Sequence, residues 1–139
     1  MITTSKSTQD EIKEFRDREW IGADLKYYGK STGWIEEDFV FKAVEDGKIV
    51  GIIAGKYQEG VLYIDDLIVA KDKRGLGVGK ALIKIAEDFA IGKGGHKAYL
   101  ITGKNWEVRK FYELLGYENT VEFKNHYRHV DFVIYEKLL

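Results

Sequence analysis

The sequence predicts an α/β domain built on a mixed, mostly antiparallel central sheet flanked by helices. Three observations predict it. Two alternating segments are joined by an Asp-Gly turn and continued by a third; an amphipathic helical segment opens directly after a glycine-rich loop; and a second strand-then-helix passage leads into two more alternating segments.

Taken in order, Ile12, Phe15 and Trp20 fall among charges at rough helical spacing, so Gln9 to Trp20 reads as an amphipathic helix. Phe39 to Val44 and Ile49 to Tyr57 read as strands joined through Glu45-Asp46-Gly47-Lys48, because a tight hairpin turn needs residues that tolerate positive φ. The turn Gln58-Glu59-Gly60 leads into a third strand, Val61 to Val69. Plain alternation points Val61, Tyr63, Asp65, Leu67 and Val69 one way and Leu62, Ile64, Asp66 and Ile68 the other. Each face then carries one carboxylate, unless a bulge re-aims one of them. Val78, Leu82, Ile85, Ala86, Phe89 and Ala90 recur at three- and four-residue spacing, with Gly92 and Gly94 as stop signals. Ala98 to Thr102 is a short strand. Trp106 to Leu115 is a helix with Val108, Phe111 and Leu115 inward and Gly116 past its end. Tyr117 to Lys124 and Val130 to Leu138 complete the sheet as an antiparallel pair.

A length of 139 residues suits one domain, so residues 1–139 are expected to form a single one. With 45% hydrophobic and 32% charged residues the composition is globular. The absence of cysteine excludes disulfides, thiolate metal sites and a cysteine nucleophile. A formal net charge of -1, with the signs interspersed, lacks the footprint of a nucleic-acid binder. No apolar run reaches the ~18 residues of a membrane span and Met1 to Ser7 has no signal-peptide core, so a cytoplasmic location without a membrane partner is expected.

The chemistry concentrates in Arg74-Gly75-Leu76-Gly77-Val78-Gly79, set between a strand and a helix. Glycines let backbone N–H groups converge on phosphate oxygens, and the helix amino end adds a favourable dipole. The dinucleotide fingerprint fails here, because Lys80 stands where its third glycine belongs. The nucleotide-triphosphate loop fails at Gly79-Lys80-Ala81, and also at Gly29-Lys30-Ser31, where Asp24 occupies the glycine position. A lone Gly-x-Gly can equally be a structural turn.

The loop resembles the Gln/Arg-x-x-Gly-x-Gly/Ala motif of the GNAT superfamily of N-acetyltransferases. A second signature agrees: Asn105 after the strand, Phe111-Tyr112 on the helix and Gly116-Tyr117 beyond it match that family's spacing, with Val108 in place of its usual small residue. The likeness runs from Phe39 to Leu138 and is sharpest from Ile64 to Tyr117. It implies acetyl-CoA as cosubstrate, and a sheet splayed between the two central parallel strands, those ending at Val69 and Thr102. It also implies that the CoA arm pairs with the backbone of Leu67, Ile68 and Val69, while the loop from Arg74 takes the pyrophosphate on the N–H groups of Gly75, Leu76, Gly77, Val78, Gly79 and Lys80. Asn105 either reaches the CoA arm or caps its helix.

Acetyl transfer needs a neutral amine, and an amine of pKa ~10.4 is neutral only about once in 2,500 at pH 7, a cost of roughly 4.6 kcal/mol. A base is therefore useful. The resemblance offers Asp65, which matches the proposed base of the polyamine-acetylating branch; the bland reading of Asp65-Asp66 is a structural pair at a bulge. Tyr112 is expected to give a proton to the departing thiolate, its bland reading being a core aromatic with a backbone partner. His126 and His129 lack a third ligand, so no metal is expected. Trp20, Tyr27, Tyr28 and Trp34, with Asp24, Glu36, Glu37 and Asp38, either line an acceptor pocket or belong to ordinary core and surface. The expected partners are acetyl-CoA and an amine acceptor: a protein amino terminus, a lysine, a polyamine or a small molecule. A homodimer stays open, and the competing function is a non-catalytic CoA-binding or interaction module on the same fold.

Overall fold

The computed structural model describes residues 1–30 and 33–139, which fall into two units, 1–34 and 35–139. Ser31 of the rejected Gly29-Lys30-Ser31 match lies outside the described residues. In the first unit, helix α1 spans Gln9–Tyr28, eight residues longer than its periodicity suggested. Its ends are set by caps: Thr8 accepts from the Glu11 N–H at 3.2 Å, and Gly29, at φ 73°, donates to the Leu25 carbonyl.

The second unit is a six-stranded sheet. It contains β1 (Glu36–Glu45), β2 (Lys48–Gln58), β3 (Val61–Val69), β4 (Lys97–Gly103), β5 (Glu118–Phe123) and β6 (Phe132–Leu138), in the order β1-β2-β3-β4-β6-β5. Only β3 and β4 are parallel; every other neighbouring pair is antiparallel. Asp46 at φ 49° and Gly47 at φ 76° make the predicted β1–β2 hairpin turn. Helix α2 (Val78–Gly92) covers one face, burying Leu82, Ile83, Ala86 and Ala90 against Ile53, Leu62, Ile64 and Leu100. Phe89 meets Phe39 and Phe41 at 5.8 Å and Tyr57 at 6.2 Å. Burial of side chains of this size stabilises by about 1.5–3 kcal/mol each, which holds α2 in place. Ile85, expected inward, is half exposed; Ile83 takes its place in the core.

The parallel ladder is short. It runs from Val61↔Lys97 to Ile64↔Leu100 and stops, while β2 stays paired to β3 as far as Val69 and β6 to β4 as far as Gly103. The two central strands therefore part beyond Ile64 and Leu100, which is the expected splay.

Alternation along β3 is broken by a bulge, the alternative that the Asp65-Asp66 pair left open. Ala54 pairs with Asp66 and Gly55 with Ile64, leaving Asp65 without an opposite residue. The phase changes there: Leu62 and Ile64 face the core, and after the bulge so do Leu67 and Val69, while Ile68 is 56% exposed. Gly55 makes the bulge possible, since a Cβ at that position would run into the Tyr63 carbonyl.

Candidate active site

Between β3 and α2 the chain makes a single 3₁₀ turn, Lys71–Lys73, and then the glycine loop. Arg74 Nε donates to the Val69 carbonyl at 3.0 Å, tying the loop to the end of β3. Gly77, at φ 86°, is the N-cap of α2 and offers no side chain to the helix. From Gly75 through Leu76, Gly77, Val78 and Gly79 to Lys80, no backbone N–H makes a hydrogen bond to a described residue; the first helical amide to do so is that of Ala81, to the Gly77 carbonyl at 3.0 Å. Six consecutive donors thus stand free at a helix amino end with no acidic residue in its first turn. Nothing lies within 4 Å of where a Cβ on Gly75 or Gly77 would stand, and Leu76 is exposed. An anionic group has access, partners and a matching dipole there.

Helix α3 (Arg109–Leu114) closes in on the same place. It is shorter than the predicted Trp106 to Leu115, because the chain from Lys104 to Val108 runs as turns. Val108, expected inward, is exposed and serves as N-cap, so Asn105 does not cap this helix; its side chain is exposed. Phe111 packs against the start of α2, 3.1 Å from where a Gly79 Cβ would be, with Val69 3.8 Å from that point. Arg109 fixes the approach: its guanidinium donates to the Lys104 carbonyl at 2.7 Å and to the Tyr135 hydroxyl at 2.8 Å, which in turn donates to Glu113 at 2.9 Å.

Tyr112 is the buried residue of α3, 7% exposed, although the spacing had set Val108, Phe111 and Leu115 inward. Its ring lies 5.1 Å from Phe111, 6.0 Å from Tyr117 and 6.1 Å from Tyr135. The hydroxyl makes no hydrogen bond to a described residue, yet it is not a sealed orphan, since no buried polar atom there lacks a partner. Burial pushes its pKa up to about 12, so the proton is retained at neutral pH.

Asp65 stands on the sheet face opposite α2, exposed, with Tyr63, Asp38 and Lys56 around a shallow cavity of about 280 Å³. The Tyr63 hydroxyl donates to Asp65 Oδ1 at 3.4 Å, and its pKa is raised to about 12 by burial first and the Asp65 charge second. Lys56 is shared by Glu36 at 2.7 Å and Asp38 at 3.2 Å, which leaves Asp65 without a cationic partner among the described residues. Glu37 pairs instead with Lys93. Leu67, Ile68 and Val69 form the β3 margin of the splay, each paired to β2 on its other side. The structure so gathers Arg74 to Lys80, Val69 and Tyr112's helix at one end of the splay, and sets Asp65 on the opposite face.

The sequence model of the acetyltransferase (GNAT) family matches residues 8–117. The chain belongs to the GNAT family. An uncharacterized N-acetyltransferase of Methanocaldococcus jannaschii is 37% identical over 53% of the chain and 49% of its own length, so the chain spans about half the length of that curated relative. An acetyltransferase structure from Bacillus cereus aligns with 99% of the chain and 98% of its own length at a TM-score of 0.78 and 23% identity, a likeness of fold. The structure of Arabidopsis thaliana Naa50 in complex with the bisubstrate analogue CoA-Ac-MVNAL aligns with 70% of the chain and 71% of its own length, at a TM-score of 0.64 and 28% identity.

Sequence reasoning on this GNAT chain offered a bulge at Asp65-Asp66 but passed over Gly55, which makes it possible, and Arg109. Gly55 inside a strand pattern is itself a bulge signal and pointed to Asp65. Arg109 carried no signal, because its partners are a backbone carbonyl and a tyrosine 26 residues away.

Proposed function

We propose that this chain transfers the acetyl group of acetyl-CoA to a primary amine by direct attack in a ternary complex. One observation carries the reading: the six free N–H groups from Gly75 to Lys80, at the amino end of α2 and beside the splay. The residues suit a pyrophosphate, with open space at Gly75 and Gly77 and the Arg74 and Lys80 cations nearby. The bisubstrate complex of the Naa50 neighbour supports a shared site for CoA and an acceptor in this fold.

When bound, acetyl-CoA supplies an activated thioester carbonyl. The chain's own residues do the rest. Arg74 to Lys80 bind and orient the pyrophosphate, and the unpaired margin of Leu67, Ile68 and Val69 offers backbone groups to the arm. Asp65, uncompensated and next to Tyr63, attracts the ammonium of the acceptor and takes its proton. Tyr112, protonated at neutral pH, donates to the sulfur that leaves. The reaction is tested by incubating the chain with acetyl-CoA and primary amines and following both free thiol and acetylated amine. Stoichiometric appearance of the two supports the reading; CoA binding with no thiol release from any amine would leave a non-catalytic CoA module.

A further inference from the structure

The turn between β5 and β6 is backbone under strain. Asn125 (φ 48°), Arg128 (φ 52°) and His129 (φ 62°) are three of the five non-glycine residues with positive φ among the described residues, and the other two, Asp46 and Glu59, sit in hairpin turns that require it. Hydrogen bonds hold the turn: the Asn125 N–H donates to Asp131 Oδ1 at 2.7 Å, His129 Nδ1 lies 2.8 Å from Asn125 Oδ1, and the His126 N–H donates to the Val130 carbonyl at 2.9 Å. Strain of this kind persists where surrounding contacts over-determine it, and it gathers at functional sites. What it secures here is a cluster of aromatic rings packed mostly edge to face. The His126 ring lies 4.2 Å from Tyr127, Tyr127 lies 5.2 Å from Phe132, and Phe132 lies 5.4 Å from Trp106.

Register places this cluster beside the splay. Gly103 pairs with Phe132 and Tyr99 with Glu136, and paired residues share a face. Tyr99, Gly103 and Phe132 therefore project away from the side on which Leu100 and Thr102 are buried. Trp106 rests on Gly103, where a Cβ would collide with the indole, so the indole covers the last residue of the splayed stretch of β4. On the same face Tyr63 stacks on Tyr99 at 4.8 Å, immediately before the strands part and two residues from Asp65. Tyr127 is 60% exposed and Trp106 53% exposed, which is unusual for rings held so firmly.

Charge narrows what fits. Glu136 is paired with Lys97 at 2.6 Å and Glu122 with Lys104 at 2.7 Å, while Asp65, Asp66 and, in the turn itself, Asp131, which accepts the Asn125 N–H, have no cationic partner among the described residues. The turn adds Lys124 and Arg128, exposed and without an acidic partner among the described residues. One ammonium is welcome at Asp65; further along, the aromatic faces lead to the Lys124 and Arg128 cations, which oppose a second positive charge.

We propose that Tyr127 and Trp106, packed against Phe132 on the sheet face that carries Tyr63 and Tyr99, form an aromatic subsite that holds the body of the acceptor, and that the acceptor is an amine borne on an apolar or aromatic group rather than a polycation. The proposal rests on the acetyl-transfer reading and names the acceptor class for that same site. Calorimetric titration of the full chain saturated with CoA measures it without turnover, using phenylalanine amide and spermidine as probes. Phenylalanine amide should bind at least about ten-fold more tightly than spermidine. Tyr127→Ala, at an exposed ring, should cost phenylalanine amide about ten-fold in Kd, leave spermidine within about two-fold and leave CoA affinity unchanged; Tyr127→Phe should keep most of the binding. Spermidine binding more tightly, neither probe binding, or phenylalanine amide within about two-fold of wild type in Tyr127→Ala would each overturn the proposal. Wild-type protein that fails to bind CoA at all sinks the acetyl-transfer reading, and this one with it.

Discussion

The Asp65 carboxylate stands 3.4 Å from the Tyr63 hydroxyl, on the one residue of β3 left over when Ala54 pairs with Asp66 and Gly55 with Ile64. The bulge turns out a side chain that strict alternation would have kept in phase with Leu67, and no lysine or arginine among the described residues neutralises it. Asp65→Asn should therefore lower kcat/KM for the acceptor by about 10²-fold at neutral pH. The deficit should shrink as pH approaches the amine's own pKa, because the neutral amine then needs no base. Parallel pH–rate profiles for wild type and variant would remove Asp65 from proton transfer.

Tyr112→Phe keeps the contacts with Phe111, Tyr117 and Tyr135 and deletes only the hydroxyl. The expected result is a fall in single-turnover rate of about 10²-fold with CoA affinity little changed. Equal single-turnover rates would return Tyr112 to the core.

The acidity of Tyr112 makes a separate prediction about pH. Burial raises its pKa in the folded chain to about 12, above the ~10 of an unfolded tyrosine. A raised folded pKa contributes stability that is complete below pH ~10 and is lost as pH climbs towards 12. Urea-unfolding free energy should accordingly drop between pH 10 and 12, and drop less in Tyr112→Phe. Over the same logic the donor stays loaded at neutral and mildly alkaline pH, so single-turnover rate should show no descending limb before pH ~10. A limb near pH 8 or 9 that vanishes in Tyr112→Phe would mean a lower pKa than burial gives.

At the glycine loop the informative substitution is Gly77→Asp. A Cβ on Gly77 meets nothing within 4 Å, whereas one on Gly79 meets Phe111 at 3.1 Å, so the first change spares the α2–α3 packing and costs only local backbone strain at φ 86°. Gly77→Asp puts a negative charge among the six free amides and should weaken CoA binding by about 10²-fold or more, with circular dichroism unchanged. Undiminished affinity in a folded variant would put the pyrophosphate elsewhere.

Much of this was legible in the sequence, and the reasons differ by element. The Asp46-Gly47 turn and the β3 boundaries at Val61 and Val69 were readable because turn chemistry and alternation are local. The parting of β3 from β4 came from the family likeness, since no local pattern records where a parallel ladder stops. Val108 and Ile85 were placed inward on spacing alone, while the structure seats Tyr112 and Ile83 there, because which helical stripe is buried depends on the partner face. The phase change at Asp65 needed the pairing of Gly55, a contact across strands. The aromatic cluster over Gly103 depends on a turn with positive φ at Arg128, a residue that local propensity would not place there.

In the proposed reaction acetyl-CoA is held at the amino end of α2. Thermal unfolding of the wild-type chain with and without acetyl-CoA tests it most directly, because a ligand that binds only the folded state raises Tm by mass action. The predicted result is a saturable rise of several degrees that disappears in Gly77→Asp. No rise with about 1 mM acetyl-CoA, a generous excess over a plausible affinity, would contradict it.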